Sequence, residues 1–405
     1  MKKLVKRILL ILLAVLIAVQ APFIYRRYKI GQLAAKIEEL NKTSRGNSPA
    51  VGGKFNEYKG IIHAHTNLGG HSTGSFDELI SAANANDLDF VIMTEHWSDT
   101  IDTAALTLNG VYGKTLFIGG NEIDTADSDR FLMSPGSPDA AGLRKLPTST
   151  VIEKLHSEGR LALVTYPEKL NSWDADFDGI EVFSLHTNAK KMNPFTAVFD
   201  AIWSFPAYPE LMLASYFKRP DENLRKFDEI ASKRNINLFA GTDAHSNIGF
   251  HLFGDDAGKR LLDIKIDDYA TIFRLVRQHV LIEEGKPFTK ESLTEALKEG
   301  RSYIGFDSIG NTAGFTFYGE TGQGFGFMGN TISRGHNLWL RAISPIPARF
   351  TLFIDGVAAA TTEAVSEFSF KPEVPGSYRV EVYLDQLGPP FDKMPWIISN
   401  PIYVR

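Results

Sequence analysis

The sequence predicts an α/β protein built on parallel strands, preceded by an apolar helix and followed by a small all-β unit. Three observations predict it. Short apolar runs, each ending in a histidine or an acid, recur at distant positions between residues 60 and 245. Strand and helix signals alternate through about residue 300. Beyond Ile309 the apolar residues repeat with a period of two, and no helix of length is signalled. Parallel strands covered on both faces read as continuous apolar runs, and strands of a (β/α) barrel deliver functional residues from their C-terminal ends.

The first element is N-terminal. Lys2, Lys3, Lys6 and Arg7 precede an apolar stretch over residues 8–19, which continues through Ala21, Phe23 and Ile24. Residues 4–25 suffice to cross a bilayer, which takes ~20 residues. Tyr25 and Tyr28 stand where an interfacial aromatic belt would sit. A cleaved signal peptide is the rival, since Val19-Gln20-Ala21 has the small-residue spacing of a cleavage site; Pro22 directly after it opposes cleavage. The basic flank keeps the N-terminus in the cytoplasm, although Arg26, Arg27 and Lys29 weaken that asymmetry. The expectation is a single-pass membrane anchor over residues 1–30 with the catalytic part extracytoplasmic. Residues 31–40 read as a short helix and 41–53 as a Gly, Ser, Thr and Asn-rich connection, so 31–54 is assigned to a linker.

Residues 55–309 carry the α/β grammar. The runs are Gly60-Ile61-Ile62-His63-Ala64-His65-Thr66, followed by His71; Phe90-Val91-Ile92-Met93-Thr94-Glu95-His96; Leu116-Phe117-Ile118-Gly119-Gly120-Asn121-Glu122; and Leu238-Phe239-Ala240-Gly241-Thr242-Asp243-Ala244-His245. Further strands are expected over 161–165 and 179–183. Ser75 and Glu78 form a capping box ahead of Leu79, Ile80 and Ala83. Pro220-Asp221 opens a helix with Leu224, Phe227 and Ile230 on one face, and another runs from Thr289 to Gly300. A helix is also expected over 272–280. An extended backbone across Ala64 would put His63 and His65 on one face.

Residues 310–405 change grammar. Phe315 and Phe317, Leu338 and Leu340, Phe350 and Leu352, and Val380 and Val382 alternate, and Asp355-Gly356 is a strong hairpin turn. The expectation is a small immunoglobulin-like β-sandwich.

Composition narrows the chemistry. A hydrophobic fraction of 43% with 22% charged residues is that of a folded globular chain. The net charge of −5 leaves no basic footprint, so no nucleic-acid partner is expected. With 0 cysteines, disulfides and thiolate metal sites are excluded, and any metal must be held by imidazole and carboxylate.

Taken in order, His63-Ala64-His65-Thr66, His71, Thr94-Glu95-His96, Gly120-Asn121-Glu122 and Gly241-Thr242-Asp243-Ala244-His245 resemble the polymerase and histidinol phosphatase (PHP) family of metal-dependent phosphoesterases. The resemblance covers roughly residues 58–306. It implies a distorted (β/α)7 barrel, with two or three divalent ions per chain, zinc, manganese or iron. It implies that His63 and His65 hold one metal with Glu122 and Asp243, that His71, His96 and His245 hold a second, and that Glu122 bridges them. Asp243, His245 and Glu122 are the implied catalytic residues. The stretch from Met394 to Ile402 is similar to the ending of a PHP branch with a C-terminal β domain, which includes hydrolases of carbamate esters.

The chain departs from the family at two places. Thr94-Glu95-His96 stands where Thr-Asp-His is usual, and Tyr166-Pro167 where His-Pro is usual. Tyrosine, with a pKa near 10, is a poor ligand. His186 remains a candidate for a third metal; a two-metal site in which Tyr166 bonds substrate is the equal alternative. Lys169 is a candidate phosphate contact, as are Lys190, Lys191, Lys218 and Arg219, though a solvated lysine is the ordinary reading. His156, His251, His279 and His336 are read as structural. Residues 193–219 crowd twelve large apolar side chains, among them Phe195, Val198, Phe199, Ile202 and Trp203, into one insertion, as core, lid or membrane-facing surface.

Paired divalent metals suit hydrolysis of a phosphate ester by a metal-activated hydroxide. The expected substrate is a phosphorylated small molecule or a lipid-derived one. The alternatives are a carboxyl- or carbamate-ester hydrolase on the same site, and a non-catalytic, metal-stabilised binding protein.

Overall fold

The N-terminal apolar segment forms one helix, Lys2–Thr43, in the computed structural model of the protein, which describes residues 2–44, 54–254, 260–322, 324–335 and 337–405. Its length and composition allow it to cross a membrane. Pro22 lies inside it without ending it. The expected break after residue 30 is absent, and the part assigned to a linker continues the helix through Thr43. The reason is packing. Phe23, Ile30 and Ile37 recur at seven-residue spacing, two turns apart on one face, and all three are buried. Up to Ile17, by contrast, its large apolar side chains are exposed.

Two sheets carry the middle of the chain. In the first, Phe55–Ala64, Phe90–Met93 and Thr115–Ile118 run parallel in that order. The second has the order Asn237–Gly241, Gly179–Ser184, Leu161–Val164, Arg130–Ser134, Asn121–Asp124, Glu95–His96. The chain passes directly between them, from Met93 to Glu95 and from Ile118 to Asn121. The second crossing needs glycine, because a Cβ on Gly120 would lie 2.3 Å from the Met93 carbonyl oxygen and one on Gly119 2.5 Å from that of Ala104. The end of Phe55–Ala64 also meets the segment after Asn237–Gly241, the edge strand of the second sheet: Thr242 donates to the Ile62 carbonyl, Ala244 to His63 and His65 to Ala244.

The sheets are mixed rather than all parallel. Arg130–Ser134 runs antiparallel to both neighbours. Residues 272–280, expected as a helix, divide into a short helix Tyr269–Ile272 and a strand Arg277–Glu283 paired antiparallel with Phe55–Ala64. The run Val280-Leu281-Ile282 is buried between Phe55–Ala64 and Ser302–Gly305, where apolar strand residues outweigh the helical spacing. His279 is therefore a buried strand residue and not a helix terminus.

Several local signals act where expected. Ser75 and Glu78 make a reciprocal capping box on helix Phe76–Ala85. Thr289 caps Lys290–Lys298, and Gly300 takes a left-handed φ of 72°. Asp355 and Gly356, both at positive φ, turn the hairpin between Trp339–Ile354 and Val357–Phe370. The C-terminal strands are hydrogen-bonded into the first sheet: Ile397–Ser399 pairs with Ser302–Gly305 on one side and Gly376–Tyr383 on the other. Every residue of Gly376–Tyr383 is buried. His336 and the side chain of His251 lie outside the described residues.

Candidate metal centre

The site forms where the two sheets meet. His63 ends its strand in a left-handed conformation, φ 73°, with a register shift between Ile62 and Ala64. Strand alternation does not bring His63 and His65 together, as the sequence suggested; this bulge does. Asp243 (φ 48°) and Tyr166 (φ 50°) are also left-handed. Such backbones cost on the order of 1–3 kcal/mol each in a non-glycine residue and persist where the surroundings over-determine them. Tyr166 and Asp243 line one pocket, and His63 lies beside Asp243.

The ligand-type atoms converge. His63 Nε2 lies 3.5 Å from Glu122 Oε2 and 3.2 Å from Asp243 Oδ1. His65 Nε2 lies 3.3 Å from Glu122 Oε2 and 3.4 Å from Asp243 Oδ1. His63, His65, Glu122 and Asp243 form one group able to hold a metal, and His65, His96 and His245 a second. Glu122 Oε2 also reaches His96 Nε2 at 3.6 Å, so one carboxylate oxygen adjoins both groups. His71 packs edge-on to His96, ring centroids 4.6 Å apart. His186 lines the same pocket of about 490 Å³, with its ring 6.1 Å from that of His245. Lys169 is not among the lining residues; its amine stands 5.4 Å from the centre of the Tyr166 ring.

The donor set fits a divalent cation. His63 Nε2 and Asp243 Oδ1 are buried with no partner in hydrogen-bonding geometry. A buried polar atom without a partner is costly, and a cation among these atoms would satisfy them. Burial pushes His96 and His245 down to about 4, so both are neutral at pH 7 and offer a lone pair. Burial works against the charge on Glu122 and Asp243, but the His63 and His65 imidazoles hold both well below the usual carboxylate range. Burial would also lower His63, yet Asp243 and Glu181 hold it well above its ordinary value.

Tyr166 is bonded to a member of the first group. Its hydroxyl gives a 2.5 Å hydrogen bond to Asp243 Oδ2. Burial, and then the Asp243 charge, raise its pKa, which keeps the proton in place. Glu95 is outside both groups: it accepts from the Thr66 amide and hydroxyl and from Thr107, fastening the loop after His65.

Two residues escaped the sequence reading. Glu181, buried in Gly179–Ser184, accepts from His63 Nδ1 at 3.1 Å and from Thr165. It holds the imidazole with Nε2 toward the other ligands, as carboxylates behind metal-binding histidines do. A carboxylate inside an otherwise apolar run was its signal. Arg130 pairs with Asp124 at 2.7 Å, reaches Glu122 Oε1 at 3.5 Å and lines the pocket.

No protein-family model matches the chain, and no curated protein is similar to it in sequence. Solved structures that overlap it do so distantly, two of them as follows. PsfC from Pseudomonas syringae PB-5123 is 13% identical, with 62% of this chain and 92% of that chain covered and a TM-score of 0.37. The lesion-specific endonuclease PfuEndoQ from Pyrococcus furiosus is 12% identical, with 60% and 56% covered and a TM-score of 0.34. At TM-scores this low the overlap decides neither fold nor activity. The capacity to hold divalent metal rests on the side-chain cluster itself.

Proposed function

We propose that the chain is a membrane-anchored, metal-dependent hydrolase of the PHP type that cleaves phosphate esters of a small or lipid-derived molecule. The observation that carries this is the buried His63, His65, Glu122 and Asp243 group, which shares His65 with the partly buried histidine group and holds unsatisfied ligand atoms at its centre. Hydrogen bonds from Thr242, Ala244 and His65 between the two sheets support reading them as one distorted barrel. Bound divalent ions would polarise the ester and lower the pKa of a water. His63, His65, Glu122 and Asp243 would hold one ion, and His65, His96 and His245 a second, with His71 alongside. Arg130 supplies the pocket cation that an anionic substrate needs. Tyr166 fixes the orientation of Asp243. The positive N-terminal flank favours a catalytic part outside the cytoplasm.

The test is Asp243→Asn in the full-length protein, assayed against phosphomonoesters, phosphodiesters and carboxyl esters. Desalted wild type should hold at least two divalent ions, one for each group. Asn keeps the shape and removes the charge, so turnover should fall by at least ~100-fold, as when a principal electrostatic contributor is lost. Metal content should fall with it. Tyr166→Phe removes one hydrogen bond, worth about ten-fold in rate, and should leave metal content unchanged. Full turnover in Asp243→Asn would place the catalytic centre elsewhere, and faster turnover of carboxyl esters than of phosphate esters would reassign the substrate class.

A further inference from the structure

The insertion after Gly179–Ser184 binds the N-terminal helix and leaves one apolar face bare. Its helix Pro194–Trp203 packs on the N-terminal helix through Phe199, whose ring stacks on Phe23 with centroids 4.9 Å apart. Trp203 Nε1 donates to the Gln20 side chain at 2.8 Å, and Arg27 donates to the Trp203 carbonyl at 2.8 Å. The one charged side chain of this helix, Asp200, is fully buried and neutralised by Arg26 at 2.8 Å, with Tyr216 bonded to it as well. What remains outside is uncharged: Phe195, Val198 and Ile202 are 60%, 49% and 59% exposed. They are spaced three and four residues apart, on one helix face.

The position of this face along the N-terminal helix decides what covers it. The helix from Leu4 to Ile24, apolar from Ile8 on except for Gln20, spans roughly the 30 Å of a hydrocarbon core at about 1.5 Å per residue. Tyr25 and Tyr28, both exposed, then mark the interface. Phe195 lies beside Phe23, with ring centroids 6.4 Å apart, and Trp203 reaches Gln20. Both contacts fall on the membrane side of Tyr25. From Tyr25 back to Gln20 is five residues, about 7–8 Å along the axis. That is the depth, roughly 5–10 Å, at which interfacial amphipathic helices lie. Lys190 and Lys191, exposed just ahead of the helix, suit the phosphate level of anionic lipid.

We infer that helix Pro194–Trp203 is a second membrane element, lying in the outer surface of the bilayer with Phe195, Val198 and Ile202 among the acyl chains. His186 lines the catalytic pocket and precedes Asn193 by seven residues, which the chain can stretch to at most about 25 Å. The pocket is therefore held close over the membrane surface.

The inference rests on the anchor reading, and the experiment separates the two. The chain has 0 cysteines, so single replacements can be labelled uniquely. Leu12→Cys, Phe195→Cys, Ile202→Cys and the distant, 71% exposed Val357→Cys are made in full-length protein, labelled with a polarity-sensitive fluorophore and reconstituted in phosphatidylcholine–phosphatidylglycerol vesicles. All four positions are exposed in the protein, so folding is preserved. Labels at 12, 195 and 202 should be quenched by spin-labelled lipid and protected from aqueous iodide, with 195 and 202 answering best to a quencher shallow in the acyl chain and 357 to iodide alone. Lipid quenching at 12 with iodide quenching at 195 and 202 overturns the second membrane element and spares the anchor. Shielding of 195 and 202 from both quenchers assigns the face to a protein partner and also overturns it. Iodide quenching at 12 overturns both readings.

Discussion

Glu181 shows how far a single side chain reaches in this site. It touches no other member of the ligand groups than His63, yet it fixes which nitrogen of His63 faces Glu122 and Asp243. Glu181→Gln keeps the shape and removes the charge behind the imidazole, so metal affinity should fall by about 10–100-fold with the fold intact. Competition against a fluorescent chelator measures this directly, and unchanged affinity would make Glu181 merely structural. Gly241 belongs to the same argument. A Cβ there would meet Glu181 Oε1 at 1.6 Å, so Gly241→Ala must displace the carboxylate from His63. Gly241→Ala should therefore lose metal at least as completely as Glu181→Gln, and a fully loaded Gly241→Ala protein would count against this account.

At the level of strands and helices, legibility followed the source of the signal. The runs ending in His65, His96, Glu122 and Asp243 were readable because a buried strand must be apolar until it reaches the site. The caps at Ser75 and Thr289 and the Asp355-Gly356 turn were readable because their causes lie within four residues. Arg130–Ser134 and Arg277–Glu283 were missed, since their strand character comes from neighbours distant in sequence. The latter strand also carries a prediction. His279 is buried between Glu57, at 2.6 Å, and Asp307, at 3.4 Å, with Thr312 on the same nitrogen. Burial lowers its affinity for a proton, but Asp307 and Glu57 outweigh it and raise the pKa to about 9. A folded-state pKa above the unfolded value of ~6.5 stabilises fully below pH 6.5 and is lost as pH rises through 9. The stability advantage of wild type over His279→Gln should thus shrink by on the order of 2–3 kcal/mol between pH 6.5 and 9.5. Denaturant titrations of both proteins in detergent at the two pH values test it; an advantage that grows with pH reverses the sign and refutes the protonated His279.

For the molecule as a whole, the C-terminal strands and the site-bearing part are coupled twice. The first coupling is the strand Ile397–Ser399, which joins Ser302–Gly305 to Gly376–Tyr383 in one continuous sheet. The second is a buried ion network. Arg379, 1% exposed, donates to both Asp228 oxygens at 2.7 Å and pairs with Glu381, which itself takes Arg219 at 2.6 Å. Asp228 lies on helix Asp221–Ala231 and Arg219 just before it, whereas Arg379 and Glu381 belong to the C-terminal strands. Burial alone would raise the Glu381 carboxyl, yet Arg379 and Arg219 hold it down to about 2. Such a network resists loss of one member more than its net contribution suggests, because the remaining charges stay buried and unpaired. Arg379→Met fills similar volume and leaves Asp228 without its cation. It should cost about 3–5 kcal/mol. Because the sheet is continuous, that loss should lower a single unfolding transition that removes tryptophan burial and metal together. With the other four tryptophans replaced by Phe, Trp396, fully buried in the C-terminal part, reports one side of the joint, and metal release reports the other. If Arg379→Met shifts the tryptophan signal to lower denaturant while metal release stays at its wild-type midpoint, the two parts fold independently and the C-terminal strands are an appended domain. Coincident midpoints, displaced together, make them part of the framework that holds the metal centre.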